Sequence, residues 1–167
     1  MKQVFVHLDK CMGCRSCQIA CAVEHSKAKS LFAAVAETPM PRYRLYVEKG
    51  DGKKIPLTCR HCEDAPCLEA CISGALFRDD RGLVMQRYER CVGCWTCLMV
   101  CPFGVVGRQK ERRVAVKCDR CANLEVPSCV SACPTRALVF AEEEAFGKAM
   151  RVHAAGLLSK AVEHSSP

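Results

Sequence analysis

The chain has 167 residues, a formal net charge of +7 and sixteen cysteines, but only one tryptophan, three tyrosines and six phenylalanines. No run of eighteen apolar residues is present, so a membrane-spanning helix is not expected. The positive charge comes without a basic run or a set of stacking aromatics, which argues against nucleic acid.

In chain order, Val4–Leu8 alternates as a short strand and leads into Cys11, Cys14, Cys17 and Cys21, spaced C-x2-C-x2-C-x3-C. Gln18 to about Lys29 is expected to be helical, and Thr38-Pro39-Met40-Pro41 then breaks any helix. Tyr43–Glu48 and Lys54–Leu57 flank Gly50-Asp51-Gly52, a hairpin signal. Cys59, Cys62, Cys67 and Cys71 follow as C-x2-C-x4-C-x3-C. Ala75–Phe77 and Leu83–Met85 face each other across the turn Arg78–Gly82. The strand Leu83–Tyr88 then enters Cys91, Cys94, Cys97 and Cys101, again C-x2-C-x2-C-x3-C and now followed by Pro102. The fourth cysteine of such a run is expected at a helix start. Val105-Val106 and Val114–Val116 form a shorter hairpin around Gly107–Arg113. Cys118, Cys121, Cys129 and Cys133 are spaced C-x2-C-x7-C-x3-C and followed by Pro134. Ala137–Phe140 is a closing strand. Ala141–Ser165 reads as one helix, with Phe146, Ala149, Met150, His153, Leu157 and Ala161 on one mostly apolar stripe.

Four groups of four use every cysteine. Thiolates a few residues apart wrap one face of a cubane, and the fourth cysteine of each run reaches the other cluster of a pair. Structural zinc favours two cysteine pairs a dozen or more residues apart. A disulfide framework needs an oxidising compartment, and MKQVFVHLDKC has no signal-peptide core. Iron–sulfur clusters are therefore expected, in a soluble cytoplasmic protein whose folding is coupled to cluster insertion. Four oxidised cubanes with their thiolates add roughly −8, at about −2 each, which brings the holoprotein near −1. Lys10, Arg15, Arg60, Arg90, Lys117 and Arg120 lie beside ligands and read as counter-charge.

Asp9–Cys21 (DKCMGCRSCQIAC) repeats as Glu89–Cys101 (ERCVGCWTCLMVC), and Cys71–Phe77 matches Cys133–Phe140. The hairpin at Arg78–Gly82 ties the second group to the third. By the same logic Ala137–Phe140 needs Val4–Leu8 as its mate, so the first and fourth groups form a second module enclosing the first. The expected fold is α+β: two pseudo-symmetric bacterial-ferredoxin-like modules, one nested inside the other, with short β-hairpins and a C-terminal helix. Residues 1–30 with 117–140 make the outer module and 58–103 the inner one. Residues 31–57 and 104–116 are connections, and 141–167 a helical tail.

The stretches CRHCEDAPCLEAC, RCVGCWTCLMVCPFG, VAVKCDRC and CVSACPTRAL resemble the four-cluster ferredoxin-like electron-transfer subunits of complex redox enzymes. Those enzymes include formate dehydrogenases, DMSO reductase, hydrogenases, carbon monoxide dehydrogenase and aldehyde oxidoreductases. The resemblance spans Phe5 to about Phe140. It implies four 4Fe–4S clusters: one on Cys11, Cys14, Cys17 and Cys133, and a second on Cys118, Cys121, Cys129 and Cys21. A third is implied on Cys59, Cys62, Cys67 and Cys101, and the fourth on Cys91, Cys94, Cys97 and Cys71. Cys21 and Cys71 are followed by Ala22 and Ile72 instead of Pro, which loosens those helix starts. Cys94 is kept where three-iron relatives carry Trp.

His61 has no vacant ligand role beside four thiolates and either donates to a cluster sulfur or faces solvent. Arg15, Arg60 and Arg120 either raise cluster potentials or are solvated loop charges. Trp95 either shields its cluster or simply packs. Pro66, Gly74, Gly93 and Gly104 let the chain turn tightly around a cubane. With every iron fully ligated, and no nucleophile–base pair or nucleotide fingerprint, the chain is expected to be non-catalytic. It reads as an electron relay between a catalytic subunit, a molybdenum/tungsten or nickel enzyme, and a second carrier such as a flavin- or NAD-linked subunit. A diffusing polyferredoxin and a structural protein are the alternatives. The tail either packs on its own body or docks on the catalytic subunit or another copy.

Overall fold

The computed structural model describes the backbone of residues 1–164 and the side chains of residues 1–160. Among the described residues, eight short strands form four separate two-stranded antiparallel sheets, and four of the six α-helices carry cysteines.

The first and last strands close the molecule. β1 (Lys2–Val6) pairs with β8 (Leu138–Glu142), in register from Lys2 opposite Glu142 to Val6 opposite Leu138. The repeat had implied this partnership, shifted by about two residues. β1 stops at Val6 because Leu8–Lys10 turns as a 3-10 helix into Cys11. β4 (Leu76–Arg78) and β5 (Val84–Gln86) make the corresponding pair. Their turn is held by Asp79, whose Oδ1 accepts from the Leu83 and Arg81 backbone N–H at 2.8 and 3.1 Å.

β2 (Tyr46–Gly50) and β3 (Lys53–Leu57) form the expected hairpin with a tighter turn. Asp51 and Gly52 have φ of 46° and 82°, the two left-handed residues a two-residue hairpin requires, so Gly50 belongs to the strand. β6 (Gly107–Gln109) and β7 (Val114–Val116) pair as well. Val105 and Val106 are buried but outside the ladder, so the strand starts later than their β-branching suggests.

Helix α1 (Ser16–Glu24) is shorter than expected at its far end, and α2 (Leu31–Val35) is an unexpected helical turn ahead of the prolines. The remaining cysteine helices are single turns: α3 (Pro66–Glu69), α4 (Thr96–Met99) and α5 (Ser128–Ser131). Cys101 therefore follows a helix end, contrary to the expected helix start. Pro102 offers no N–H to continue the turn. Cys21 lies inside α1, since Ala22 lets the helix run on where Pro102 stops its counterpart.

Two small cores result. One gathers Cys17, Cys21, Leu45, Val47, Cys129 and Leu138, with Val4 and Val6 against it. The other gathers Leu76, Cys97, Val106 and Ala115, edged by Cys67, Cys71, Cys91 and Cys101. α1 packs on α5, and α3 on α4. Each buried Leu or Val contributes about 1.5–3 kcal/mol, but three of the six members of the first core are thiols. α6 (Glu143–His164) leaves this body. Its first turn is anchored, where Phe146 stacks on Phe5 at 4.2 Å. Residues 148–160 are exposed, so over that span the stripe does not pack on its own body. The Ala161 side chain and Ser165 lie outside the described residues.

Candidate metal centres

All sixteen thiols are free. Three cavities are each lined by four of them. Cys11, Cys14, Cys17 and Cys133 surround one; Cys91, Cys94, Cys97 and Cys71 a second; Cys59, Cys62, Cys67 and Cys101 a third. Their empty volumes are alike, about 320, 340 and 360 Å³ including open space at the mouth. In each, three cysteines come from one run and the fourth from another. The remaining four, Cys118, Cys121, Cys129 and Cys21, form a fourth neighbourhood. Beyond burial, which is the larger cause, Cys118, Cys21 and Cys121 each repel a thiolate at Cys129.

Local geometry prepares the thiols. Gly13 and Gly93 have φ of 77° and 67°, and a Cβ at Gly93 would collide with the Arg113 carbonyl. The left-handed Arg15 and Trp95, φ 63° and 66°, then turn the chain into α1 and α4. Ser16 Oγ donates to Cys14 Sγ at 3.4 Å, and Thr96 Oγ1 to Cys94 Sγ at 3.5 Å. These hydroxyls hold both exposed thiols below the ordinary range. Backbone N–H groups of Arg44, Leu76, Ala115 and Arg120 reach Cys21, Cys71, Cys91 and Cys118 at 3.3–3.4 Å. Donors of this kind favour thiolate. Burial does the reverse in the interior and pushes Cys17 and Cys97 up to about 11 and Cys21 up to about 12. Clustered thiols raised by burial and by one another are stable as thiolates only with cations among them. The donor set thus fits iron–sulfur clusters.

Sequence reasoning left several neighbours open. Arg15 and Arg60 are exposed, and Arg60 lies over Phe103. Arg120 is buried and is not a solvated loop charge. His61 does not face solvent: it is 5% exposed, and neither ring nitrogen has a protein partner. Burial, then the charges of Lys117 and Arg120, push it down to about 2, so it is neutral. Trp95 lines the cavity of Cys91 and stacks under Arg108, whose Cζ is 4.2 Å from the ring centre.

One network was not foreseen. Asp119 accepts from Arg44 Nη1 at 2.6 Å and bonds His25 Nε2 at 3.1 Å, while His25 Nδ1 meets the Cys21 carbonyl at 2.7 Å. Arg44 Nη2 continues to Tyr88 Oη at 2.7 Å. Burial opposes the Asp119 charge, but the His25 hydrogen bond and Arg44 outweigh it and hold the carboxyl well below its usual range. The only signal in the sequence was an acidic residue between two cysteines of one run, Cys118 and Cys121.

The profile of the 4Fe–4S dicluster domain matches residues 51–143, more than half of the chain. The chain belongs to this ferredoxin-like family of iron–sulfur electron-transfer proteins. An iron–sulfur protein of Rhodospirillum rubrum is 37% identical, covering 96% of this chain and 93% of the relative. Electron transport protein HydN of Escherichia coli K12 is 39% identical over 81% of this chain and 85% of its own. Among solved structures, a chain of the active site complex BamBC of benzoyl coenzyme A reductase is 26% identical. It aligns over 84% of this chain and 75% of its own, with a TM-score of 0.48. With HydN and the Rhodospirillum rubrum protein as relatives, the chain is an iron–sulfur electron-transfer protein of the HydN type. Among the described residues, no helix is long and apolar enough to cross a membrane.

Proposed function

We propose that the chain binds four 4Fe–4S clusters and relays single electrons between a catalytic oxidoreductase subunit and a second carrier. The observation that carries this is the gathering of thiols into three four-cysteine cavities and one further four-cysteine neighbourhood. The ligand sets are Cys11, Cys14, Cys17 and Cys133; Cys118, Cys121, Cys129 and Cys21; Cys59, Cys62, Cys67 and Cys101; Cys91, Cys94, Cys97 and Cys71. Each cluster, when bound, supplies a one-electron couple. The protein's own groups hold the thiolates through backbone N–H donors, leave Cys14 and Cys94 at the surface, and bury the thiols between them.

The nested arrangement, residues 1–30 with 117–140 around 58–103, is supported by the β1–β8 and β4–β5 pairings and by the two cores. The catalytic partner is a tungsten- or molybdenum-dependent aldehyde or formate oxidoreductase, in the cytoplasm. Relatives named iron–sulfur and electron transport proteins support the non-catalytic role. Helix α6 serves as the attachment to that subunit, with Val152, Leu157 and Leu158 57–69% exposed along it.

Anaerobic purification of the native complex tests the reading. The expected result is a stoichiometric catalytic chain whose substrate reduces this protein's clusters, and a smaller assembly when residues from Lys148 onward are removed. A monomer reduced equally by unrelated donors would favour a diffusing polyferredoxin. A nickel enzyme as the copurifying chain would replace the partner. Failure to undergo reversible reduction would overturn the relay.

A further inference from the structure

Three basic side chains are buried where two of the cysteine sets meet. Lys117, His61 and Arg120 are 2%, 5% and 7% exposed. His61 lies between Cys59 and Cys62, while Lys117 and Arg120 sit on either side of Cys118 and Asp119. Lys117 directly follows β7, and its Nζ donates to the Val84 carbonyl of β5 at 2.6 Å and to the Cys118 carbonyl at 3.2 Å. Arg120 Nη1 donates to the Lys2 carbonyl at 3.1 Å. Among the described residues no carboxylate pairs with Lys117 or Arg120. The acidic ion-pair partners there are Glu142, Asp119, Glu24 and Asp79, and other groups hold them.

A buried ammonium or guanidinium without an anion is strongly destabilising, so a counter-charge is needed. The thiols are what the structure offers. Lys117 lines the cavity of Cys59, Cys62, Cys67 and Cys101. Beyond burial, the charges that bear most on Arg120 are Cys118 and Cys59, one from each set, ahead of the Asp79 carboxylate, which Arg81 already pairs. Cys59 is likewise the strongest charged neighbour of Cys118 after burial. The other two cavities have no buried cation in their linings: one contains the exposed Arg15, and the other has no charged residue.

We propose that Lys117 is the shared counter-ion of the two clusters that meet at Cys59 and Cys118, with Arg120 beside it, and that it holds both at higher reduction potential. The proposal rests on the four-cluster reading. Reduction adds one negative charge, and a fixed positive charge in a low-dielectric interior favours the reduced form. The pair of clusters at this junction is therefore reduced before the pair that includes Cys14 and Cys94. Two like-charged groups can also sit close together because a cation stands between them.

The test is a redox titration of the anaerobic full-length protein followed by electron paramagnetic resonance, with Cys59→Ser and Cys118→Ser assigning the signals. Lys117→Met should lower two of the four potentials, with electron affinity falling at least tenfold, about 59 mV for a one-electron couple. The other two should stay in place, and Lys117→Arg should restore the pair. A fully loaded Lys117→Met protein with unchanged junction potentials, or with all four falling together, overturns the proposal. Should Lys117→Met fail to hold iron, Arg120→Gln reads the same junction. It should lower the same two potentials, and no change there is equally decisive. Fewer than four cubanes in the wild-type protein would sink the four-cluster reading itself, before any variant is compared.

Discussion

The segments around Cys11–Cys21 and Cys91–Cys101 are equivalent in sequence and differ in what surrounds them. Both place a left-handed glycine after the first cysteine and a left-handed residue after the second. Both give the second thiol a hydroxyl donor and bury the third cysteine to 8% exposure. They part after the fourth cysteine position. Without a proline, α1 runs nine residues to Glu24, and His25 at its end reaches Asp119. With Pro102, α4 ends at Met99 and the chain turns through Gly104. Ligand geometry is thus fixed by a few residues within each run. Its environment is fixed by how the chain leaves.

The two regions are expected to be alike first in needing their metal. Complete iron removal should abolish tertiary structure in both cores, because thiols occupy positions an ordinary core fills with Leu or Val. Near-ultraviolet circular dichroism and amide exchange of the apo chain should show no protected segment. Retained protection in one core alone would separate the regions.

The next largest effect concerns crossed ligation. Cys133→Ser should disturb the cluster held by Cys11, Cys14 and Cys17. The signal altered by Cys118→Ser should stay as in the wild type. A shared disturbance would break the pairing of the first and fourth runs.

Substitutions at the equivalent glycines sharpen the contrast. Gly13→Ala meets the Lys54 side chain, which can move, whereas Gly93→Ala meets the Arg113 backbone carbonyl. Both incur a left-handed penalty of about 1–2 kcal/mol. Gly93→Ala should add roughly 1–3 kcal/mol for the clash. In denaturant, Gly93→Ala protein should therefore lose its visible cluster absorbance well before Gly13→Ala protein. Equal rates would show that the Arg113 loop yields as easily as a lysine.

The smallest effect lies in the network that only the first region has. Asp119→Asn removes the carboxylate shared by Arg44 and His25, a loss of roughly 1.5–3 kcal/mol for hydrogen bonds to a charged group. In the wild type this contribution is present above the ordinary carboxylate range and lost as pH falls below it, because the folded pKa is depressed. Asp119→Asn should flatten that acid limb of stability, measured by cluster retention against pH.

Much of this organisation was legible because cysteine spacing and short repeats are local signals. The Asp51-Gly52 turn and the β1–β8 partnership followed from turn chemistry and from matching Ala137–Phe140 to Ala75–Phe77. The length of α1 was overestimated, since Ser26 and Lys29 form a turn that closes it, with Ser26 Oγ bonding Val23 O and Lys29 N. The burial of Lys117 was not legible. A lysine beside a ligand run reads as counter-charge, and it is the distant carbonyl of Val84, 33 positions away, that receives its ammonium inside. The Asp119–Arg44–His25 network joins residues 75 and 94 positions apart, beyond any local pattern.

The central claim is that sixteen cysteines in four crossed sets hold four cubanes. The most direct measurement is iron and acid-labile sulfide per chain in anaerobically prepared protein, with electron paramagnetic resonance of the same sample. The account predicts about sixteen of each and no three-iron signal in unoxidised protein. About eight of each, or a three-iron signal in fresh samples, would contradict it.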